Sequence, residues 1–184
     1  MPAPERTSLP AIVAAAGDLL ESGGLAAVTM AAVAEKVGVR APSLYKRVRN
    51  RDELLALVAE AAVADLRVRL AGADGAGDAC ARLDALARAL REFARSRPAS
   101  YGLVFAPDDI RLDRTQLEAA GAPLFEVVAE LAGREHALEA ARTVTAWATG
   151  FISMELNGAF RLGGEVDEAF AYGIRRLASA ISQR

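Results

Sequence analysis

The chain has 184 residues and a mass of 19.3 kDa, enough for one domain or two small ones with a real core. Hydrophobic residues make up 53%, charged residues 25% and aromatics only 5%, with 42 alanines; this excludes a disordered chain and favours an all-α protein. The formal net charge is −2, so nothing global points to a polyanion partner, but the distribution is uneven. Residues 1–54 hold seven Lys/Arg against six Asp/Glu, and residues 55–184 hold 15 against 18. Lys36 to Arg51 contains six basic residues and no acid. Such a run is either a solvated helix face or a local electrostatic footprint.

In chain order, apolar residues at Ile12, Val13, Ala16, Leu19 and Leu20 predict a first helix over Pro10–Ser22, stopped by Gly23-Gly24. Thr29 is the expected N-cap of a second helix, Met30–Val37, ended by Gly38. A third short helix is expected over Ala41–Val48. Asn50-Arg51-Asp52-Glu53 has the form of a capping box and opens a fourth helix reaching about Leu70. Ala71–Gly77 reads as a flexible linker. A fifth helix follows over Asp78–Arg97, then a short segment, Ala99–Phe105, and an acidic loop at Asp108-Asp109. Thr115–Leu131 is expected as a helix bent near Gly121-Ala122-Pro123. Glu135–Leu162 and Glu165–Gln183 complete the pattern as two long amphipathic helices, separated by Gly163-Gly164. About nine helices result. Residues 1–54 form a first domain and 55–184 a second.

Three short helices with a glycine-containing turn between the second and third have the shape of a helix-turn-helix. A helix that enters the ~12 Å major groove needs apolar residues inside and small or polar residues at its start, with cations around it. Leu44 and Val48 can face the core, Ala41, Pro42 and Ser43 are small, and Tyr45, Lys46 and Arg47 lie toward the duplex.

In Thr29–Leu55, the sequence resembles the TetR family of transcriptional repressors. The most specific features are Gly38-Val39, Pro42-Ser43-Leu44-Tyr45, Val48, Asn50 and Leu54-Leu55. The resemblance covers residues 8–60; beyond them only the helix layout is similar. Tyr101–Pro107 and Trp147–Glu155 resemble a subgroup named for a Trp-His-Gly signature, with Thr149 where that subgroup often has His. The resemblance implies that Thr29 and Met30 meet a phosphate at the start of the second helix. It implies that Arg40, Ala41, Pro42, Ser43 and Lys46 approach base edges, while Tyr45, Arg47 and Arg51 hold phosphates. It also implies a homodimer through the last two helices on a pseudo-palindromic operator. The family's function implies a ligand-responsive regulator, most simply a repressor.

The second domain is expected to hold a small apolar or weakly polar effector, since pockets are mostly apolar with few polar anchors. Candidate contacts are Tyr101, Phe105, Phe125, Trp147, Phe151 and Met154, with Thr149 and Ser153 as polar options. Each could equally be an ordinary core residue. A rival reading is a helical interaction protein or small-molecule binder that has lost DNA binding. No enzyme is expected. The single histidine, His136, lies in a charged stretch, Cys80 has no neighbouring base, and Asp108, Asp109 and Asp113 lack calcium-loop spacing. No metal or cofactor is expected either. The longest uncharged stretch in the C-terminal half, Thr143–Met154, has twelve residues, where a membrane helix needs ~20. The opening MPAPERTSLP lacks a basic segment followed by an apolar run, and one cysteine cannot form an internal disulfide. A cytoplasmic protein without a membrane partner is the expectation.

Overall fold

Alanine-rich segments fold here as helices. The computed structural model describes residues 8–75, 77–105 and 112–182. Among them are nine helices: α1 (Leu9–Ala27), α2 (Met30–Val37), α3 (Ala41–Leu44), α4 (Arg51–Ala73), α5 (Ala79–Ser96), α6 (Pro98–Phe105), α7 (Arg114–Ala132), α8 (Ala137–Leu156) and α9 (Val166–Ile181). They gather into two compact units. One is Met1–Asp65 with Arg97–Leu117, and the other is Leu66–Ser96 with Glu118–Arg184. The start of α4 and all of α6 therefore belong with α1–α3.

In the first unit, Ser8 caps α1, its Oγ accepting the Ala11 N–H at 3.4 Å. The helix is interrupted where Gly23-Gly24 predicts: Gly24 leaves the helical range at φ +67° and ψ −169°, and a short helical turn then runs to Ala27. Only glycine adopts that backbone without strain. The Thr29 hydroxyl accepts the Ala32 N–H at 3.1 Å and opens α2. At its end Gly38 turns left-handed at φ +74°. There the Val39 N–H reaches the Ala34 carbonyl at 2.9 Å and the Gly38 N–H reaches Glu35 at 3.0 Å, which closes the helix as a Schellman motif. α3 ends at Leu44, sooner than expected, but Arg47 and Val48 both donate to the Leu44 carbonyl at 2.8 and 2.9 Å. One further tight turn thus carries the chain to Val48.

Asn50 accepts the Glu53 N–H at 2.8 Å and starts α4. The returning carboxylate departs from a simple capping box. Glu53 accepts the backbone N–H and Nε–H of Arg49, one residue earlier than the cap. The backbone bond from Arg49 is the main cause holding this carboxyl below its ordinary range. Ile12, Ala16, Leu20, Val28, Val33, Leu44, Val48 and Leu54 form the floor of the unit. Glu21 of α1 accepts the Ala99 and Ser100 N–H groups at 3.0 and 2.9 Å, capping α6. α1 is long and apolar enough to cross a membrane by length and composition. Its residues Ile12, Ala15, Ala16 and Leu20 are nonetheless buried in this core, as in a core helix of a globular unit.

In the second unit α5, α8 and α9 pack on one another, burying Leu83, Leu86, Phe93, Val144, Ile152, Phe170 and Ile174. The expected linker is shorter than Ala71–Gly77. α4 runs to Ala73, and Asp78 caps α5 by accepting the Ala81 N–H at 2.8 Å. α7 continues through Pro123. α8 stops at Leu156 rather than Leu162. The reason is local. Gly158 turns left-handed at φ +62°, and the Ala159 and Gly158 N–H groups close back on Met154 and Glu155 at 2.9 and 3.0 Å. The expected acidic loop at Asp108-Asp109 lies outside the described residues.

One close approach ties α9 to α8. A Cβ on Gly173 would stand 2.2 Å from Cζ2 of Trp147. An alanine in a helix is ordinarily favoured over glycine by about 1 kcal/mol, but here it would displace an indole in a packed layer. Gly173→Ala should therefore destabilise the protein by about 1–3 kcal/mol. Urea unfolding followed by the emission of Trp147, the sole tryptophan, measures this. A gain in stability would mean that the contact is not made.

Candidate nucleic-acid interface

The residues at the start of α2 and along α3 share one polar surface above an apolar floor. Thr29, Arg40, Pro42, Tyr45, Lys46 and Arg47 are exposed, while Met30, Ala41 and Ser43 are half-buried. Leu44 and Val48 lie beneath them, fully buried. Arg40 occupies the N-cap position of α3 and makes no side-chain cap bond, because a guanidinium offers donors where the helix start needs an acceptor. Pro42 sits in the first turn of the helix, which starts at Ala41. Tyr45 is 55% exposed.

The basic run is partly neutralised within the chain. Lys36 pairs with Asp18 at 3.3 Å, and Arg49 pairs with Glu53 at 3.1 Å. Arg51 faces inward, donating from Nε to the Val28 carbonyl at 2.7 Å and from Nη2 to the Leu25 carbonyl. Arg40, Lys46 and Arg47 stay exposed beside the small residues of α3. Cations flanking a short helix of small side chains can neutralise phosphates while the helix start reaches base edges.

In the second unit a charged centre lies where the sequence suggested only apolar groups. Arg91 of α5 is 5% exposed. It donates from Nε and Nη2 to both oxygens of Glu155, each at 2.7 Å, and from Nη2 to Asp167 at 2.7 Å. Its guanidinium also lies 4.7 Å from the Phe170 ring centroid. The bond from Arg91, followed by its charge, holds the Asp167 carboxyl below the ordinary range. The spacing of apolar residues gave no sign of Arg91. The available signal was an arginine on the buried stripe of α5, at i, i+4 and i+8 from Leu83 and Ala87.

The expected effector contacts fall into separate groups. Tyr101 and Phe105 belong to the first unit, their rings 4.7 Å apart. The Tyr101 hydroxyl is buried with no hydrogen-bond partner among the described residues, and burial pushes its pKa up to about 12. Trp147 and Phe151 belong to the second unit and stack 5.6 Å apart, both also touching Phe170 at 5.2 Å. Phe160 adds a fourth ring, 4.6 Å from Phe151. The Thr149 hydroxyl bonds back to the Thr145 carbonyl at 2.8 Å. Phe125 and Met154 are exposed, as is Ser153. A cavity of about 430 Å³ between α5 and α9, lined by Cys80, Asp84, Ile174 and Ala178 among others, includes none of these eight expected contacts. Among the described residues no group of three His, Cys, Asp or Glu could hold a metal ion. His136 and Cys80 are exposed.

A helix-turn-helix under a basic surface, joined to a helical second unit, defines a DNA-binding regulatory protein. The family model described as bacterial regulatory proteins, tetR family, matches residues 12–58. The model described as tetracyclin repressor-like, C-terminal domain, matches residues 83–177. The chain belongs to the TetR family of transcriptional regulators. A Rhodococcus sp. RHA1 protein of unknown function is similar in structure at TM-score 0.82 and 24% identity, over 94% of each chain. The Q116A variant of TetR from Acinetobacter baumannii AYE, in complex with minocycline, is similar at TM-score 0.70 and 23% identity. That alignment covers 94% of this chain and 95% of the other. A Streptomyces coelicolor A3(2) protein, described as a possible TetR family transcriptional regulator, follows at TM-score 0.73 and 22% identity, over 96% and 98%. No curated protein matches the sequence at a significant level.

Breaking a buried ion pair strands a charge and costs about 3–5 kcal/mol. Arg91→Ala should lose that much in urea unfolding. Arg88→Ala, which removes a pair with Asp84 on a half-exposed helix face, should lose less than about 1 kcal/mol. Equal losses would remove the special status of Arg91. Asp167 has a lowered pKa, so its contribution is complete above its unfolded value of 3.8 and disappears as the pH falls further. Thermal unfolding below pH 4 should show a shallower acid loss in Asp167→Asn than in the parent.

Proposed function

We propose that the protein is a repressor that binds a pseudo-palindromic operator as a homodimer and leaves it when a small apolar or weakly polar effector binds. The observation that carries this reading is the exposed row Arg40, Lys46 and Arg47 around the small start of α3, above fully buried Leu44 and Val48. Thr29 and Met30 would meet phosphate at the α2 N-terminus, where backbone N–H groups favour an anion. Arg40 to Ser43 and Lys46 would approach bases, with Tyr45 and Arg47 on phosphates.

One short helix reads too few bases, and two-fold symmetry doubles the contact. α8 and α9 would supply the dimer face as a four-helix bundle, since Leu138, Met154 and Tyr172 on them are exposed large side chains. The charged centre is compatible with an apolar effector, because Arg91 is matched by Glu155 and Asp167 inside the chain. Within the second unit, Phe125, Trp147, Thr149, Phe151 and Met154 remain the proposed contacts. Minocycline bound to the Acinetobacter protein supports ligand response on this fold and says nothing of this chain's own effector. The effector would bind better to a form with wrongly spaced reading helices and shift the dimer to it. The setting proposed is the cytoplasm, beside the DNA it reads.

Selection from a random duplex library with purified protein should enrich a two-fold motif whose half-sites lie ~34–36 Å apart. Absence of any enrichment from ligand-free protein would sink the reading. On the selected site, Arg47→Ala should lower the salt slope of affinity by ~0.9, the share of one phosphate contact. An unchanged slope would place Arg47 off the phosphates.

A further inference from the structure

We propose that Arg51 serves DNA binding as a positioning residue: its guanidinium holds the peptide plane that aims Thr29, and it does not contact phosphate. The inference rests on the DNA-binding reading above. α1 ends with no basic residue in its last turn; the Leu25 carbonyl accepts the Val28 N–H at 3.3 Å and keeps a second lone pair, and the carbonyl of the cap residue Val28 lies beyond the helix's own bonds. Arg51, the first residue of α4, supplies donors to both from far along the chain. Its Nε–H reaches the Val28 carbonyl at 2.7 Å, and its Nη2–H reaches the Leu25 carbonyl.

A guanidinium is planar, and its donors keep a fixed relation to one another. Two carbonyls bound to it are therefore fixed relative to each other and to α4. The Val28 carbonyl shares its planar peptide with the Thr29 nitrogen. The Val28 side chain is fully buried in the core beneath. The plane is thus gripped from the core side by packing and at its oxygen by Arg51. Thr29 emerges from it in extended conformation, φ −117° and ψ 153°, as the N-cap of α2.

The anchor is itself well fixed. Asn50 and Glu53 close the first turn of α4 on either side of Arg51, at 2.8 Å to the Glu53 N–H and 3.1 Å to Arg49 Nε. Lysine cannot replace this. Its ammonium is a point charge and cannot span two carbonyls in one plane. Charge and geometry at position 51 are therefore separable by substitution.

The test uses the full-length protein and random-sequence duplex DNA, with affinity measured across a salt series for Arg51→Ala, Arg51→Lys, Thr29→Ala and the Arg51→Ala/Thr29→Ala pair. Thermal unfolding of each variant confirms that it folds. Arg51→Ala and Arg51→Lys should both weaken binding, by about tenfold, the equivalent of one charged hydrogen bond. Both should keep the parent's salt slope, because no cation leaves a phosphate. In the Thr29→Ala background, Arg51→Ala should cost little more, since the group it positions is already gone. Restored affinity in Arg51→Lys with a slope lowered by ~0.9 in Arg51→Ala would overturn the inference and make Arg51 a phosphate contact. Fully additive losses in the double variant would overturn it as well. A parent protein that binds no duplex at any salt would overturn the DNA-binding reading itself, an outcome distinct from either.

Discussion

A helix of four residues closes too few hydrogen bonds to persist by itself, so α3 exists because Leu44 and Val48 are gripped from below. Both are buried among Ile12, Leu20, Val28, Val33 and Leu54. That grip lets the opposite face stay polar and small without losing its shape. Pro42 stiffens the start of the helix, and the Arg47 and Val48 N–H groups tie the following turn to Leu44. The exposed cations then stand on a surface whose backbone is already fixed, so a DNA contact need not order the helix first. Preorganisation of this kind lowers the entropy cost of binding.

The second unit depends on a different constraint, a charge placed among rings. A buried ion pair is weak evidence for stability, because desolvation offsets its attraction. It can still select one arrangement out of several. The fork of Arg91 meets both oxygens of Glu155 and one of Asp167, and that match fixes α5 against the end of α8 and the start of α9 at once. The missing Cβ of Gly173 then makes room for the Cζ2 side of the Trp147 indole against α9. Trp147, Phe151, Phe160 and Phe170 form one continuous aromatic layer. A group that entered this layer would have to displace a ring that α9 also contacts.

The local chemistry of the chain made much of this legible. Thr29 and Gly38 bound α2 because a hydroxyl acceptor and a left-handed glycine each carry a specific backbone demand. The family assignment came from the same stretch, where apolar anchors, turn and cap fall in register. The ends of α1 and α8 were less legible. Gly23-Gly24 marked the interruption of α1, but not the short helical turn that follows it to Ala27. Leu162 looked like helix by spacing, yet Gly158 ended α8 first and left Leu162 in solvent. Within the candidate interface, the positions of Arg40 and Lys46 followed from helix spacing. The inward turn of Arg51 did not, since its acceptors are carbonyls 23 and 26 residues away, and carbonyls leave no mark in a sequence. Arg91 was hidden for a similar reason, as its partners Glu155 and Asp167 lie 64 and 76 residues along the chain.

The chain passes from one unit to the other inside α4, an uninterrupted helix whose first residues belong to one unit and whose last belong to the other. A helix bends sharply only at a proline, bulge or inserted group, and α4 contains no proline. Its first residue, Arg51, holds the Val28 carbonyl, next to Thr29. Within the first unit, two hydrogen bonds thus join the start of α4 to the start of α2. Bonds from a charged donor are worth about 1.5–3 kcal/mol each, while the apolar floor under α3 holds the unit together independently of them.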